Sequence, residues 1–272
     1  MKKQTLAAAI FLSVLNSSMA LSAAPKVEEP PFEGYLFAYF EGRGDAKQQE
    51  HLRFALSDDG VNWRALNENR PVIASDTISE SGGIRDPHIY RGPDGGFYLA
   101  MTDLHIYAQR DGYRDTEWER DGKTYGWGNN RGLVLMKSFD LIHWTRTNIR
   151  FDQMSKEFAQ IGCAWAPETV YDPVTGRMMI YFTMRFGTEQ NRLYYVYVNQ
   201  DFNRIESIPQ ILFEYPSGAS AIDGDITPIW NEERQKMEYH LFYVAHESGS
   251  GIKQAVSDRI DGGYRFDPRW ID

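Results

Sequence analysis

The chain has 272 residues, a net charge of −9 and a single cysteine, Cys163. Nucleic acids and anionic membranes both attract positively charged surfaces, so an acidic chain is not expected to bind either of them. One cysteine cannot form an internal disulfide, so a hydrophobic core must stabilise the domain.

The first 24 residues are predicted to be a signal peptide. Two lysines follow Met1, an apolar run extends from Leu6 to Leu15, and small residues up to Ala24 suit cleavage at more than one bond. A frayed amphipathic N-terminus is the alternative. The apolar run is too short for a membrane span, and no later stretch is long enough. The pattern predicts a secreted or periplasmic protein with a linker at 25–33 and one domain at 34–272.

Four similar units of short strands follow in chain order. Each unit reads strand, loop, strand, acidic turn and strand, and nothing in it resembles a long amphipathic helix. The paired runs are Tyr35–Phe40 with Leu52–Leu56, Phe97–Thr102 with Leu133–Lys137, Met179–Met184 with Leu193–Val198, and Tyr239–Ala245 with Gly251–Val256. Repeated sheets of this kind predict an all-β protein with a β-propeller fold, and a β-sandwich is the alternative.

Three of the four units are preceded by one more apolar segment, which is predicted to form the innermost strand of its blade. These segments are Ile84–Tyr90, Trp165–Tyr171 and Ile222–Trp230. The first unit lacks such a segment, and Asp272 follows the fourth unit directly. The pattern therefore predicts a five-bladed β-propeller that is incomplete at its C-terminal end, with about four blades present and the final blade missing.

Acidic residues recur at matching positions of these innermost segments. Asp86 and Asp223 align at one position, while His88, Glu168 and Asp225 align two residues further along. Because innermost strands converge on the propeller axis, these side chains are expected to meet in one funnel. Close carboxylates raise one another's pKa, which separates an acid from a base, as glycosidic bond cleavage requires. Asp-Pro and Asp-Gly pairs also mark ordinary turns, but their repetition at one position favours a function.

Three motifs together resemble glycoside hydrolase family 43 in their order and spacing. They are GIRDPHI at 83–89, WAPE at 165–168 and IDGDI at 222–226. The resemblance extends from Gly34 to Asp272, and the acidic turn of each unit, such as Ser138 to Trp144, is also similar. It implies a five-bladed propeller that cleaves arabinofuranosyl or xylosyl linkages of plant polysaccharides with inversion of configuration.

The resemblance also implies roles for individual residues. Asp86 matches the general base that activates water, and Asp223 matches the carboxylate that raises the pKa of the catalytic acid. Glu168 matches a non-catalytic position on the funnel wall. The residues expected to contact substrate are Arg85, His88, Trp165, Glu168 and Asp225, and Arg85 is also expected to keep Asp86 ionised. The family's catalytic acid is a Glu on the following blade, which places it after Asp272.

Two other functions remain open from the sequence. Fructan-cleaving propellers that retain configuration share the Arg-Asp-Pro motif, but they need a nucleophilic Asp on an earlier strand, and Tyr35–Phe40 contains none. A propeller that binds glycans without cleaving them is the second alternative. No cofactor is expected. Some members of the family carry calcium on the axis, but no ligand cluster indicates one here, and the metal content is left unassigned. The long insertion from His105 to Arg131 is predicted to shape the funnel mouth.

Overall fold

The computed structural model describes residues 33–268 except 46, 107, 109, 114–119 and 248–250. The predicted signal peptide and residues 25–32 of the predicted linker lie outside this described part. No helix among the described residues is long and apolar enough to cross a membrane.

The described residues form four antiparallel sheets, here called blades A to D in chain order. Blade A contains β1 (Tyr35–Tyr39), β2 (Arg53–Ser57) and β3 (Arg64–Ala65). Blade B contains β4 (Ile84–Arg91), β5 (Phe97–Asp103), β6 (Gly132–Ser138) and β7 (Thr145–Arg150). Blade C contains β8 (Ile161–Asp172), β9 (Arg177–Phe186), β10 (Arg192–Val198) and β11 (Gln210–Phe213). Blade D contains β12 (Ala221–Asn231), β13 (Lys236–Ala245), β14 (Ile252–Ser257) and β15 (Arg265–Phe266).

The innermost strands follow each other around the molecule as predicted. Strand β4 packs against β8, β8 packs against β12, and β1 of blade A packs against β4. Within each blade the strands are hydrogen-bonded in chain order. This is the four-blade arrangement of a β-propeller, and the prediction of an all-β propeller is confirmed. The helical elements are short: α1 (Gly122–Tyr125) and a few 3-10 turns such as Phe151–Gln153.

The hydrophobic core consists of three clusters, each lying between two neighbouring blades. One cluster joins blades A and B, one joins B and C, and one joins C and D. Between blades B and C the rings of Phe151 and Phe182 stack with centroids 4.9 Å apart, and Tyr98 meets Phe202 edge to face. Each buried ring contributes about 2–3 kcal/mol through the surface it removes from water. The blades are therefore held in a fixed mutual arrangement, which fixes the positions of their inner strands.

The acidic turns of the repeat are structural. Asp59 in blade A accepts hydrogen bonds from the backbone N–H groups of Val61 and Asn62. Asp140 in blade B makes the same pair of contacts with residues 142 and 143. Hydrogen bonding to the ionised form holds the pKa of both carboxyls well below the usual range. These aspartates close the turn between two strands and lie on the exposed surface, apart from the innermost strands.

Candidate functional site

The innermost strands of blades B, C and D share the same interruption. A β-bulge falls between Arg85 and His88, and equivalent bulges lie between residues 165 and 168 and between 222 and 225. The backbone is left-handed at the start of each bulge, with φ of +48° at Asp86, +44° at Ala166 and +54° at Asp223. This region is unfavourable for residues other than glycine, and each instance costs about 1–3 kcal/mol. The aligned first position of the repeat is therefore the start of a strained, outward-bent segment.

Buried threonine hydroxyls hold these bulges from the neighbouring blade. The Thr102 Oγ1 atom accepts the N–H of Ala166 at 2.9 Å and donates to Asp86 Oδ2 at 2.9 Å. The Thr183 Oγ1 atom accepts the N–H of Asp223 at 3.1 Å. Both threonines are fully buried on the second strands of their blades. The bulges of blades C and D are thus held by the blade before each of them, so the spacing of the site depends on how the blades pack.

Asp86 and Asp223 come together across blade C. Burial and then the charge of Asp86 raise the pKa of Asp223 to about 6, while His246 and Arg85 act in the opposite direction. Asp223 is exposed to solvent on one side, but protein atoms replace much of the water on its other sides. Burial also raises the pKa of Asp86, and the Thr102 hydroxyl and the Arg85 charge oppose that rise. A carboxylate whose charge raises the pKa of a second carboxyl suits acid–base chemistry.

Arg85 forms its ion pair with a residue that no sequence pattern indicates. Its Nε atom lies 3.3 Å from Oε1 of Glu50, and the other oxygen of Glu50 lies 3.4 Å from Nε2 of His105. The Arg85 guanidinium also lies 5.1 Å from the centre of the Phe40 ring. The expected effect of Arg85 on Asp86 is present in direction, since its charge lowers the pKa of that carboxyl. The ion pair itself, however, fixes Arg85 to the loop before β2.

This loop contributes a cavity wall beside the aspartates. Phe40, Arg85 and residues 41–43 line an open surface cavity next to the start of β4. Arg43 is exposed there. The apolar ring and the charged groups around it supply both an apolar contact surface and hydrogen-bond donors for a polar ligand. The predicted run Tyr35–Phe40 gave no reason to place Phe40 at the site, because its position depends on Arg85, a residue from the next blade.

Glu168 and Asp225 form a second, adjacent pair. Burial raises the pKa of Glu168 to about 8, and the charge of Asp225 and its hydrogen bond with Glu168 act in the same direction. The Tyr181 hydroxyl donates to Glu168 Oε2 at 2.6 Å and accepts the N–H of Ile226 at 2.9 Å. Because the Tyr181 oxygen accepts the N–H of Ile226, the proton of the Tyr181 hydroxyl points at Glu168. This hydrogen bond favours the ionised carboxylate and opposes the rise in the pKa of Glu168, but burial outweighs it.

His88 completes this second row of aligned residues. Its Nδ1 atom accepts the N–H of Thr169 at 3.0 Å, so the ring of the neutral form carries its proton on Nε2. Burial lowers the pKa of His88 to about 4, against the opposing charge of Asp225. A neutral His88 can donate one hydrogen bond from Nε2. The structure therefore brings the aligned residues of blades B, C and D together in two rows, as their positions in the repeat predicted.

Trp165 lies beside the first row, with its ring edge tied to the long insertion. Its Nε1 atom donates to the carbonyl of Gly128 at 2.9 Å. The guanidinium of Arg185 lies over its ring at 4.6 Å, and the ring of Trp127 meets it at 6.2 Å and an angle of 72°. One face of Trp165 is thus covered by a cation. No sequence motif pointed to Trp127 or Arg185. Trp127 lies within the predicted insertion, and Arg185 lies on β9 and contacts that insertion.

The described residues contain no group of three or more His, Cys, Asp or Glu side chains that could hold a metal ion. The side chains that converge on the axis are carboxylates, one imidazole, a tyrosine and aromatic rings. This set supplies proton transfer and hydrogen bonding to hydroxyl groups.

Comparisons with known proteins are consistent with this chemistry. The model of a family related to glycoside hydrolase family 43, described as a probable glycosyl hydrolase domain, matches residues 30–270. An α-L-arabinofuranosidase from Bifidobacterium longum is 23% identical over 185 residues, which cover 65% of this chain and 16% of that protein. The chain spans less than a third of the length of the curated relatives it matches.

Solved structures share the fold at low sequence identity. A xylan β-1,4-xylosidase from Bacillus halodurans superposes with a TM-score of 0.57 at 14% identity, covering 89% of this chain and 41% of that one. An exo-1,5-α-L-arabinanase from a bovine ruminal metagenomic library superposes with a TM-score of 0.53 at 19% identity, covering 90% of this chain and 73% of that one. At these identities the likeness establishes the propeller fold.

Proposed function

Because the chain belongs to the family of probable glycosyl hydrolase domains related to family 43, we propose that it hydrolyses arabinofuranosyl or xylosyl linkages of plant polysaccharides or oligosaccharides with inversion of configuration. The observation that carries the proposal is the position of Asp86 and Asp223 at equivalent strained bulges, where the charge of Asp86 adds to burial in raising the pKa of Asp223. The arabinofuranosidase and xylosidase relatives support the substrate class. The signal peptide predicted at the N-terminus supports a secreted or periplasmic location.

Asp86 is the proposed general base. It is held at 2.9 Å by the Thr102 hydroxyl, which orients the carboxylate, and the Arg85 charge favours its ionised form. The carboxylate removes a proton from a water molecule as that water attacks the anomeric carbon. The bond between the anomeric carbon and the leaving oxygen breaks on the opposite face, which gives inversion.

Asp223 is the proposed modulator of the catalytic acid. Burial, and after it the neighbouring charge of Asp86, raises the pKa of Asp223 to about 6. A carboxylate here raises the pKa of an acid placed beside it, so that the acid keeps its proton until the leaving oxygen takes it. The proton donor is neither of these two residues, and the resemblance assigns it to the following blade.

Substitution of the base tests the proposal. In the full-length protein, Asp86→Asn is expected to lower kcat on nitrophenyl arabinofuranoside or nitrophenyl xyloside by at least about a hundredfold, because a general base contributes on that order. The matched control is Asp58→Asn, on an exposed turn of blade A. Proton NMR of the first-formed sugar is expected to show the inverted anomer.

Each other result points to a different function. Hydrolysis by Asp86→Asn at the wild-type rate contradicts the assignment of the base. A retained anomer instead supports a mechanism of the fructan-cleaving type. If the wild-type protein binds oligosaccharides in calorimetric titration but cleaves none of them, the glycan-binding propeller is correct.

A further inference from the structure

Trp127 is the most exposed of the described tryptophans and lies at the edge of the candidate site. Trp127 is 66% exposed, whereas Trp63 and Trp230, the next most exposed of the described tryptophans, are 44% and 47% exposed. Exposure of an indole forgoes about 2–3 kcal/mol that burial would supply. A single exposed apolar residue is common on protein surfaces, so the meaning of this ring depends on its position next to Trp165.

The backbone around Trp127 is fixed rather than free. Arg185 Nη2 donates to the carbonyl of Trp127 at 3.0 Å and to that of Tyr125 at 3.1 Å. Gly126 and Gly128 flank the tryptophan with φ of +82° and +62°. A Cβ atom on Gly126 would lie 2.6 Å from the Arg185 guanidinium, so only a glycine at this position allows the turn to approach that side chain so closely. The ring is therefore presented by a preorganised turn, which reduces the entropy lost on binding.

Contacts connect this turn to Asp86. The Trp127 ring stands against Trp165 at 72°, and Trp165 directly precedes Ala166. The N–H of Ala166 donates to Thr102, whose hydroxyl donates to Asp86. The turn also leaves blade B at the end where β4 begins, since Asp103 at the end of β5 pairs with the first residue of β4. Trp127 thus lies on the same side of the molecule as the start of the strained bulge.

From these contacts we infer that Trp127 is the platform of a second sugar subsite, which stacks against the apolar face of the sugar residue next to the one that reacts at Asp86. The inference rests on the proposed function for the identity of the ligand. Sugar rings present C–H groups on one face, and an exposed indole is the side chain that covers such a face most completely. Trp165 stands perpendicular to the platform and forms its back wall, with Arg185 behind that wall.

The inference predicts a selective effect of chain length. In the full chain, Trp127→Ala is expected to weaken binding of arabinotriose or xylotriose about tenfold in calorimetric titration, and to raise KM for that trisaccharide by a similar factor. The kcat/KM for the corresponding methyl glycoside is expected to stay within about twofold, because its sugar occupies only the reacting position and its methyl group is too small to cover the indole. Trp127→Phe is expected to retain most of the affinity.

The matched control is Trp63→Ala, which removes an exposed indole from blade A, where it contacts Tyr35 and Phe37. It is expected to change neither measurement. Unaltered trisaccharide binding by Trp127→Ala overturns the inference, and so does an equal loss on both substrates. If the wild type binds trisaccharides without cleaving them, the proposed hydrolysis is wrong, and the titration still decides the subsite. If it binds neither trisaccharide, the subsite is wrong.

Discussion

Replacement of Glu168 by glutamine should change how the stability of the protein depends on pH. Glu168 lies half-buried on the funnel wall, and its pKa is raised to about 8 from the ordinary 4.5. The folded protein therefore binds this proton more tightly than the unfolded chain does. The resulting stabilisation is complete below about pH 4.5 and is lost as the pH rises to about 8, because the folded state must then hold a poorly solvated charge.

The size of the effect follows from the difference between the two pKa values. At about 1.36 kcal/mol for each unit, a fully sealed carboxyl would lose close to 5 kcal/mol over this range. Water on the open side of the funnel reduces this, so a loss of about 2–4 kcal/mol is expected. Glutamine cannot ionise, and its carbonyl oxygen still accepts the Tyr181 hydroxyl that Glu168 accepts at 2.6 Å.

The assay is urea unfolding followed by circular dichroism at about pH 5 and pH 8.5. The free energy of unfolding of Glu168→Gln should exceed that of the wild type by about 2–4 kcal/mol more at the higher pH than at the lower one. The control is Glu157→Gln at an exposed position, for which the two curves should stay parallel. Parallel curves for Glu168→Gln itself would show that Glu168 is ionised in the folded protein at neutral pH, which refutes the reasoning.

Two further substitutions test the packing that positions the site. Thr102→Val removes the hydroxyl that Ala166 and Asp86 share, so it should lower the free energy of unfolding in urea by about 1–3 kcal/mol. Because the hydrogen bond from Thr102 lowers the pKa of Asp86, its loss should also shift the acidic limb of the pH–rate profile to higher pH. An acidic limb that does not move would contradict the role of Thr102. Gly132→Ala would place a Cβ atom 1.7 Å from the carbonyl oxygen of Ile149 in the paired strand, so it should lower the free energy of unfolding by about 3 kcal/mol, whereas Gly122→Ala, with no atom nearby, should be near neutral.

The repeat in the sequence predicted most of the fold because strand periodicity is a local property. The run Leu133–Lys137 lies within β6, and Ile84–Tyr90 lies within β4. The prediction was shorter than the strand where small residues carry no signal. Strand β8 begins at Ile161 rather than at Trp165. The residues between them pair with β9 through their backbones, and their side chains give no strand pattern in the sequence.

The contacts that build the site are mostly long-range, and the sequence could not predict them. The pairing of Arg85 with Glu50 joins a strand to a loop of the preceding blade, and Glu50 belongs to no motif. The carboxylate of Asp86 is held by Thr102, which is remote in sequence and adjacent only after the sheet has formed. Motif order identified which residues meet, but not how they are held.

The alanine in the middle blade separates geometry from chemistry at this site. Ala166 adopts the same left-handed conformation as Asp86 and Asp223, although it has no functional group to present. A strain of about 1–3 kcal/mol at Ala166 cannot be explained by catalysis, so the bulge must serve the packing of blades, through the hydrogen bond from its N–H to Thr102. The repeat therefore supplies the same bent backbone to the inner strands of blades B, C and D, and the chemistry is set by which residue occupies it. Carboxylates occupy two of the three positions, on either side of a neutral one, and after burial the charge of Asp86 is the next cause that raises the pKa of Asp223.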